Sequence, residues 1–177
     1  MNTLIDILTD KELKGVARRQ AVIDMLLQGN VPLTMLQELL PQLDEKKSAT
    51  VLEALEEISN KKLMPLEQGH LQLVIPYIAS SNNSCRREAS RIVGNLAVAF
   101  PDAVKEALPS LMANTTDEGT VVRWSAAYAL SRIIVLPDYA KSGLYDELLQ
   151  LAETEQDNGV KSQYEKALKK AEKTRKR

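Results

Sequence analysis

The chain has 177 residues with a single Phe, 4% aromatics and seven Gly. That composition is too poor in aromatic and turn-forming residues for most sandwiches or barrels, and better suited to helices packed through Leu, Ile, Val and Ala. Lys and Arg number 23 against 24 Asp and Glu, a formal net charge of −1, so no global field draws the chain to nucleic acid or an anionic membrane and any electrostatic specialisation is local. One cysteine, Cys85, excludes an internal disulfide and a Cys-rich zinc site.

The start, Met1 to Leu8, lacks a basic segment and meets charge at Asp6, so it does not read as a signal peptide. No apolar run reaches membrane-spanning length, and the expected setting is cytoplasmic. Residues 2–9 predict a short helix, with Thr9 and Glu12 at capping-box spacing before a second helix through Leu13, Val16, Val22, Ile23, Leu26 and Leu27. Gly29-Asn30 is a C-terminal stop. Helix pairs then recur: 33–43 with 46–59, 66–80 with 84–99, 102–114 with 120–135, and 144–153 with 159–174.

The second helices align on anchors Ser48, Arg86, Arg123 and Lys161, spaced by 38, 37 and 38 residues. Seven positions beyond each anchor stand Leu55, Val93, Leu130 and Leu168; six beyond stand Ala54, Ile92, Ala129 and Ala167; ten beyond stand Ile58, Leu96, Ile133 and Ala171. A constant period of this length, built from helix pairs, predicts an all-α solenoid in which each unit buries its apolar face on its neighbours.

Leu108-Pro109-Ser110-Leu111, Asp117 and the run Val122 to Leu130 resemble the HEAT repeat: a Leu-Pro step in the first helix, an Asp in the turn and Arg123 opening the second helix. Leu40-Pro41 and Ile75-Pro76 echo the first-helix step. The pattern departs from the family at Ser48, at Asn82 and Asn83 in place of the turn Asp, and in the last first helix, which has no Pro. The resemblance implies a right-handed solenoid of about four to five antiparallel helix pairs. Residues 1–177 would form one HEAT-like domain, with 1–30 as a degenerate cap and 31–60, 66–99, 102–135 and 144–174 as repeats. It also implies structural roles for Pro109, Asp117 and Arg123, the last two tying successive turns and helices together, and second helices that line a shared groove.

Little in the chain suggests catalysis. His70 is the only histidine, so no His pair exists for zinc or a proton shuttle, and it is expected near a helix start in a surface or partly packed role. Cys85 lies beside Arg86 and Arg87 at an expected helix N-terminus, where it is either an activated thiol or a small core hydrophobe. There is no Gly-rich phosphate loop and no Gly-x-Ser-x-Gly elbow. The expectation is a non-enzyme without cofactor or metal.

The stripe one, five and nine positions past each anchor changes along the array. It runs from Ala49, Glu53 and Glu57, through Arg87, Arg91 and Asn95 and then Trp124, Tyr128 and Arg132, to Ser162, Lys166 and Lys170. An exposed Trp and Tyr beside Arg are the residue types that anchor interfaces, and Arg87 or Arg91 can hold the rings by cation–π contact. Equally, Trp124 can pack between second helices, and Arg87 and Arg91 can pair with Glu88 or Glu53. The basic stretch Lys166, Lys169, Lys170, Lys173, Arg175, Lys176 and Arg177 complements a helix C-terminus or contacts an acidic partner.

The first functional expectation is therefore a scaffold that binds a protein or peptide, acidic in character, through Arg87, Arg91, Trp124, Tyr128, Arg132, Lys166 and Lys170. The second is nucleic-acid binding, including DNA repair by HEAT-like glycosylases. The neutral charge, the acidic first part of the stripe and the lack of a carboxylate beside Trp124 all count against that second reading.

Overall fold

The computed structural model describes residues 3–177, so position 2 of the first expected helix lies outside the described residues. Among the described residues there are helices and no strand. The helices are α1 (Leu4–Thr9), α2 (Gly15–Leu27), α3 (Leu33–Leu39), α4 (Glu45–Lys61), α5 (Gln68–Val74), α6 (Asn83–Leu96), α7 (Leu108–Asn114), α8 (Thr120–Ile133), α9 (Pro137–Ala140), α10 (Leu144–Thr154) and α11 (Asn158–Arg175).

Local chemistry sets most of the boundaries. Asp44, Asn82 and Asp157 cap α4, α6 and α11 by accepting from the amides of Lys47, Cys85 and Val160 at 2.9, 3.0 and 2.9 Å. Gly29, at φ +73°, closes α2: its amide bonds Leu26 O and that of Asn30 bonds Met25 O, the two bonds of a Schellman end. The capping box expected at Thr9 and Glu12 is instead formed by Thr3 and Asp6 at the start of α1, while the Thr9 hydroxyl donates back to Ile5 O and Asp10 takes the Glu12 amide. Thr9 sits in the last turn of α1, where no orphan amide is within its reach.

The Leu-Pro steps mark a change of helix type. The first helix tightens from α3 into a 3-10 turn at Leu40–Gln42 and from α5 into one at Ile75–Ala79, and it opens as a 3-10 turn at Ala103–Ala107 before α7. A proline lacks the amide that would donate to the carbonyl four residues earlier in an α-helix, and its ring crowds that carbonyl. The last first helix, α10, has no proline and runs unbroken for 11 residues. The short helix α9 joins α8 to α10, a connection the periodicity leaves as a turn.

Helices α2, α4, α6, α8 and α11 pack in that order as one layer. The segment expected to be a degenerate cap folds as a helix pair whose α2 takes its place against α4. The residues six, seven and ten beyond each anchor are all buried between the layers, each large aliphatic contributing about 1.5–3 kcal/mol of transfer free energy. Spacing and apolarity alone thus locate the core.

Two buried polar groups lead to predictions. Tyr164 is buried in this core, and its hydroxyl has no hydrogen-bond partner; burial pushes its ionisation well above the ordinary phenol range. A lost hydroxyl leaves nothing unpaired at that site, so Tyr164→Phe is expected to hold or raise stability by about 1 kcal/mol, read as a melting midpoint equal to or about 2–4 °C above that of the parent.

His70, expected near a helix start in a surface or partly packed role, does stand in the first turn of α5 and is buried there. Its Nδ1 accepts the amide of Glu67 at 3.0 Å, which closes the first turn of α5. Burial holds its pKa below the ordinary value. The unfolded chain therefore binds a proton near pH 6.5 that the folded chain refuses, so the contribution is complete above about pH 6.5 and is lost as pH falls toward the depressed folded value. The melting midpoint should begin to decline as pH falls below about 6.5, and His70→Gln should flatten that decline.

Candidate partner-binding groove

The turns and second helices are tied by charged contacts that step from one helix pair to the next. Arg86 of α6 pairs with Asp117, in the turn before α8, at 2.8 Å, and also reaches Asn114 Oδ1 at 2.7 Å. Asn114 in turn donates to Ile78 O at 2.9 Å. Arg123 of α8 grips Glu155, in the turn before α11, through both oxygens at 3.1 and 3.2 Å, and donates to Asp117 O at 2.9 Å. Asp117 and Arg123, expected to tie successive turns and helices together, meet each other through a backbone carbonyl, while each side chain's carboxylate–guanidinium pair is with the neighbouring repeat. Asp117 also accepts the Gly119 amide at 2.8 Å; that bond and then Arg86 hold its carboxyl below the usual range. At Ser48 no guanidinium is available, and the two repeats meet there through Glu45 and the Ser81 hydroxyl.

The outward face of the second-helix layer has two electrostatically different halves. Over α2, α4 and α6 its charges are internally neutralised. Glu57 is held by Arg19 at 3.1 Å and Lys61 at 2.6 Å, Glu56 by Arg91 at 3.0 Å, and Arg87 by Glu88 at 2.6 Å with Glu53 at 4.0 Å. Arg87 and Arg91, two of the expected partner-binding residues, are thus already paired with carboxylates.

At α8 the stripe closes on itself. Tyr128, expected to be exposed, is only 8% exposed, and its hydroxyl donates to Asn95 on α6; burial raises its pKa. One face of its ring carries the Arg132 guanidinium at 3.4 Å, Arg91 lies at 5.7 Å, and Trp124 stacks at 5.5 Å with 28° between the rings. Trp124 itself is 37% exposed. The close fit of α6 on α8 that draws Tyr128 inward depends on Gly94, where a Cβ would stand 3.1 Å from Ala129 Cα, Tyr128 Cδ1 and Arg132 Cδ. No periodicity signals that role, since Gly94 falls inside a helical pattern that would accept alanine.

Between the C-terminal ends of α4, α6 and α8 and the flank of α11 lies a cleft of about 480 Å³. It collects Arg132, Lys166 and Lys170 from the stripe and adds Lys62, in the left-handed C-cap of α4. The expected partner-binding residues are therefore divided: these three and Tyr128 line the cleft, Trp124 stands beside it on α8, and Arg87 and Arg91 belong to the neutralised half. Lys62 falls outside the stripe, because only the stacking of α4 brings its end to the cleft.

Cys85 is buried, with its thiol pushed up by burial, which is the small-hydrophobe arrangement and not an activated thiolate. Among the described residues no group of His, Cys, Asp and Glu is arranged to hold a metal ion, and no helix is long and apolar enough to cross a membrane.

The family model of the HEAT-like repeat matches residues 83–133, the α6 to α8 span that carries Arg86, Pro109, Asp117 and Arg123. No curated protein matches the sequence. Several solved structures share the fold. An engineered protein is 21% identical with a TM-score of 0.69, covering 96% of this chain and 80% of that one. A second engineered protein is 19% identical with a TM-score of 0.68, covering 96% of this chain and 47% of its own. A designed armadillo repeat protein in complex with the peptide (KR)4 is 19% identical with a TM-score of 0.66, covering 95% of this chain and 80% of that one. The chain is an all-helical repeat solenoid with a HEAT-like repeat at residues 83–133.

Proposed function

We propose that this solenoid is a non-catalytic interaction module that binds a protein or peptide partner on the outward face of its second helices, over α8 and α11. One observation carries the reading: the preformed aromatic and cationic platform of Trp124, Tyr128 and Arg132 beside an open cleft. Tyr128 and Arg132 are held by packing and stacking, so a partner that covers Trp124 meets groups that lose little conformational freedom on binding. A helical repeat protein in complex with a peptide has a precedent in the designed armadillo protein with its (KR)4 peptide. Nucleic acid is the weaker reading, because half of the face is self-neutralised and the net charge is −1.

Affinity capture with the full chain tests this. The partner should be retained by the parent protein and by a variant changed on the first-helix side, such as Glu38→Ala, and lost with Trp124→Ala. Equal retention by Trp124→Ala, or retention that amounts only to duplex DNA with a steep salt dependence, would overturn it.

A further inference from the structure

The cleft at the α8–α11 end differs from the rest of the face in one respect that selects a ligand. Its lining contains Lys62, Arg132, Lys166 and Lys170 and no Asp or Glu. None of these four has a carboxylate within ion-pairing distance among the described residues. On the neighbouring half, every acidic group of the stripe is matched by a cation. The field of the cleft is therefore uncompensated and positive, although the chain as a whole is slightly negative. The cations are interleaved with apolar surface: Val98 is 75% exposed at the end of α6, and Val135 lines the cleft from the end of α8.

Resting on the interaction-module reading, we infer that the cleft takes an extended acidic segment of a partner protein, with carboxylates at alternating positions and aliphatic residues between them. Lys166 and Lys170 are one helical turn apart on α11, an axial step of about 6 Å. Alternate residues of an extended chain recur every 6.6–6.8 Å or so, so successive carboxylates meet successive cations. Arg132 is held flat on Tyr128 at 3.4 Å, with one nitrogen given to Tyr128 O at 3.3 Å, and supplies a fixed point for a third. A single phosphate would use one such point and leave the other cations unmatched. The ligand is opposite in charge to the (KR)4 peptide of the designed armadillo protein, and the reversal follows from the sign of the residues left unpaired.

The test is fluorescence anisotropy of the full chain with labelled peptides of alternating Glu and Val and of alternating Lys and Val, and with a random DNA duplex. The Glu-Val peptide should bind and the Lys-Val peptide should not. The double change K166E/K170E should weaken the Glu-Val peptide at least ten-fold with its helical circular dichroism intact. K169E/K173E, the same charge change on α11 outside the cleft, should leave binding within two-fold of the parent.

Equal binding of both peptides, equal loss in the two double variants, or tighter binding of the duplex would overturn the inference. If the acidic peptide fails while a captured partner is still lost on Trp124→Ala, the charge assignment falls and the interaction module stands. If both fail, the module falls too.

Discussion

Arg123→Ala is expected to cost about 3 kcal/mol of stability, the scale of breaking a largely buried ion pair by removing one member. The guanidinium is 18% exposed and its partner Glu155 only 7%. Truncation leaves that carboxylate shielded from water with no cation in ion-pairing distance. It also removes the donor to the carbonyls of Asp117 and Glu118, so the loss falls on the junction between the α8 and α11 pairs. For a chain of this length the melting midpoint should drop by about 6–12 °C. Arg123→Lys should recover only part of this, because an ammonium cannot grip both carboxylate oxygens and two carbonyls together. A change under about 1 kcal/mol would mean that the ladder is a solvated surface pair.

Trp124→Ala is expected to weaken the partner by about 2 kcal/mol or more, close to a thirty-fold rise in Kd, with stability lowered far less. The indole is 37% exposed, and burying it under a partner removes a large apolar area from water at the cost of only two side-chain torsions. Tyr128 makes the contrast: at 8% exposure it has little left for a partner to cover. Tyr128→Phe tests its role as a support, since the change removes the bond to Asn95 and keeps the ring under Arg132. A calorimetric titration of the captured partner separates the two residues: a direct loss at Trp124, and a smaller one at Tyr128 accompanied by a lower melting midpoint. Equal losses at both with equal destabilisation would mean that Trp124, too, is only structural.

The helices, their pairing and their core were legible because each rests on local chemistry repeated at a fixed interval. Apolar residues six, seven and ten past each anchor can only face inward if every unit is the same helix pair, and all of them are buried. The Leu-Pro steps likewise carried their own cause. The candidate site was legible in composition but not in arrangement: the stripe named Arg132, Lys166 and Lys170, yet grouped them with Arg87 and Arg91, which the structure pairs with acids. Lys62, Val98 and Gly94 were not legible, because their part in the groove depends on how closely neighbouring helices approach.

What the sequence by itself determined is a helical repeat array, its buried positions and the residue types on its outer stripe, since these follow from a period of 37 or 38 residues and from caps and prolines that act within one turn. Only the tertiary structure decided which charges survive. Whether a cation is free depends on distances between residues 30 or more apart in the chain, as for Arg91 with Glu56 and Arg123 with Glu155. Those distances are set when helices stack, so the same Arg that reads as a contact for a partner becomes a bolt between repeats, and the lysines of α11 are left to define the open end of the groove.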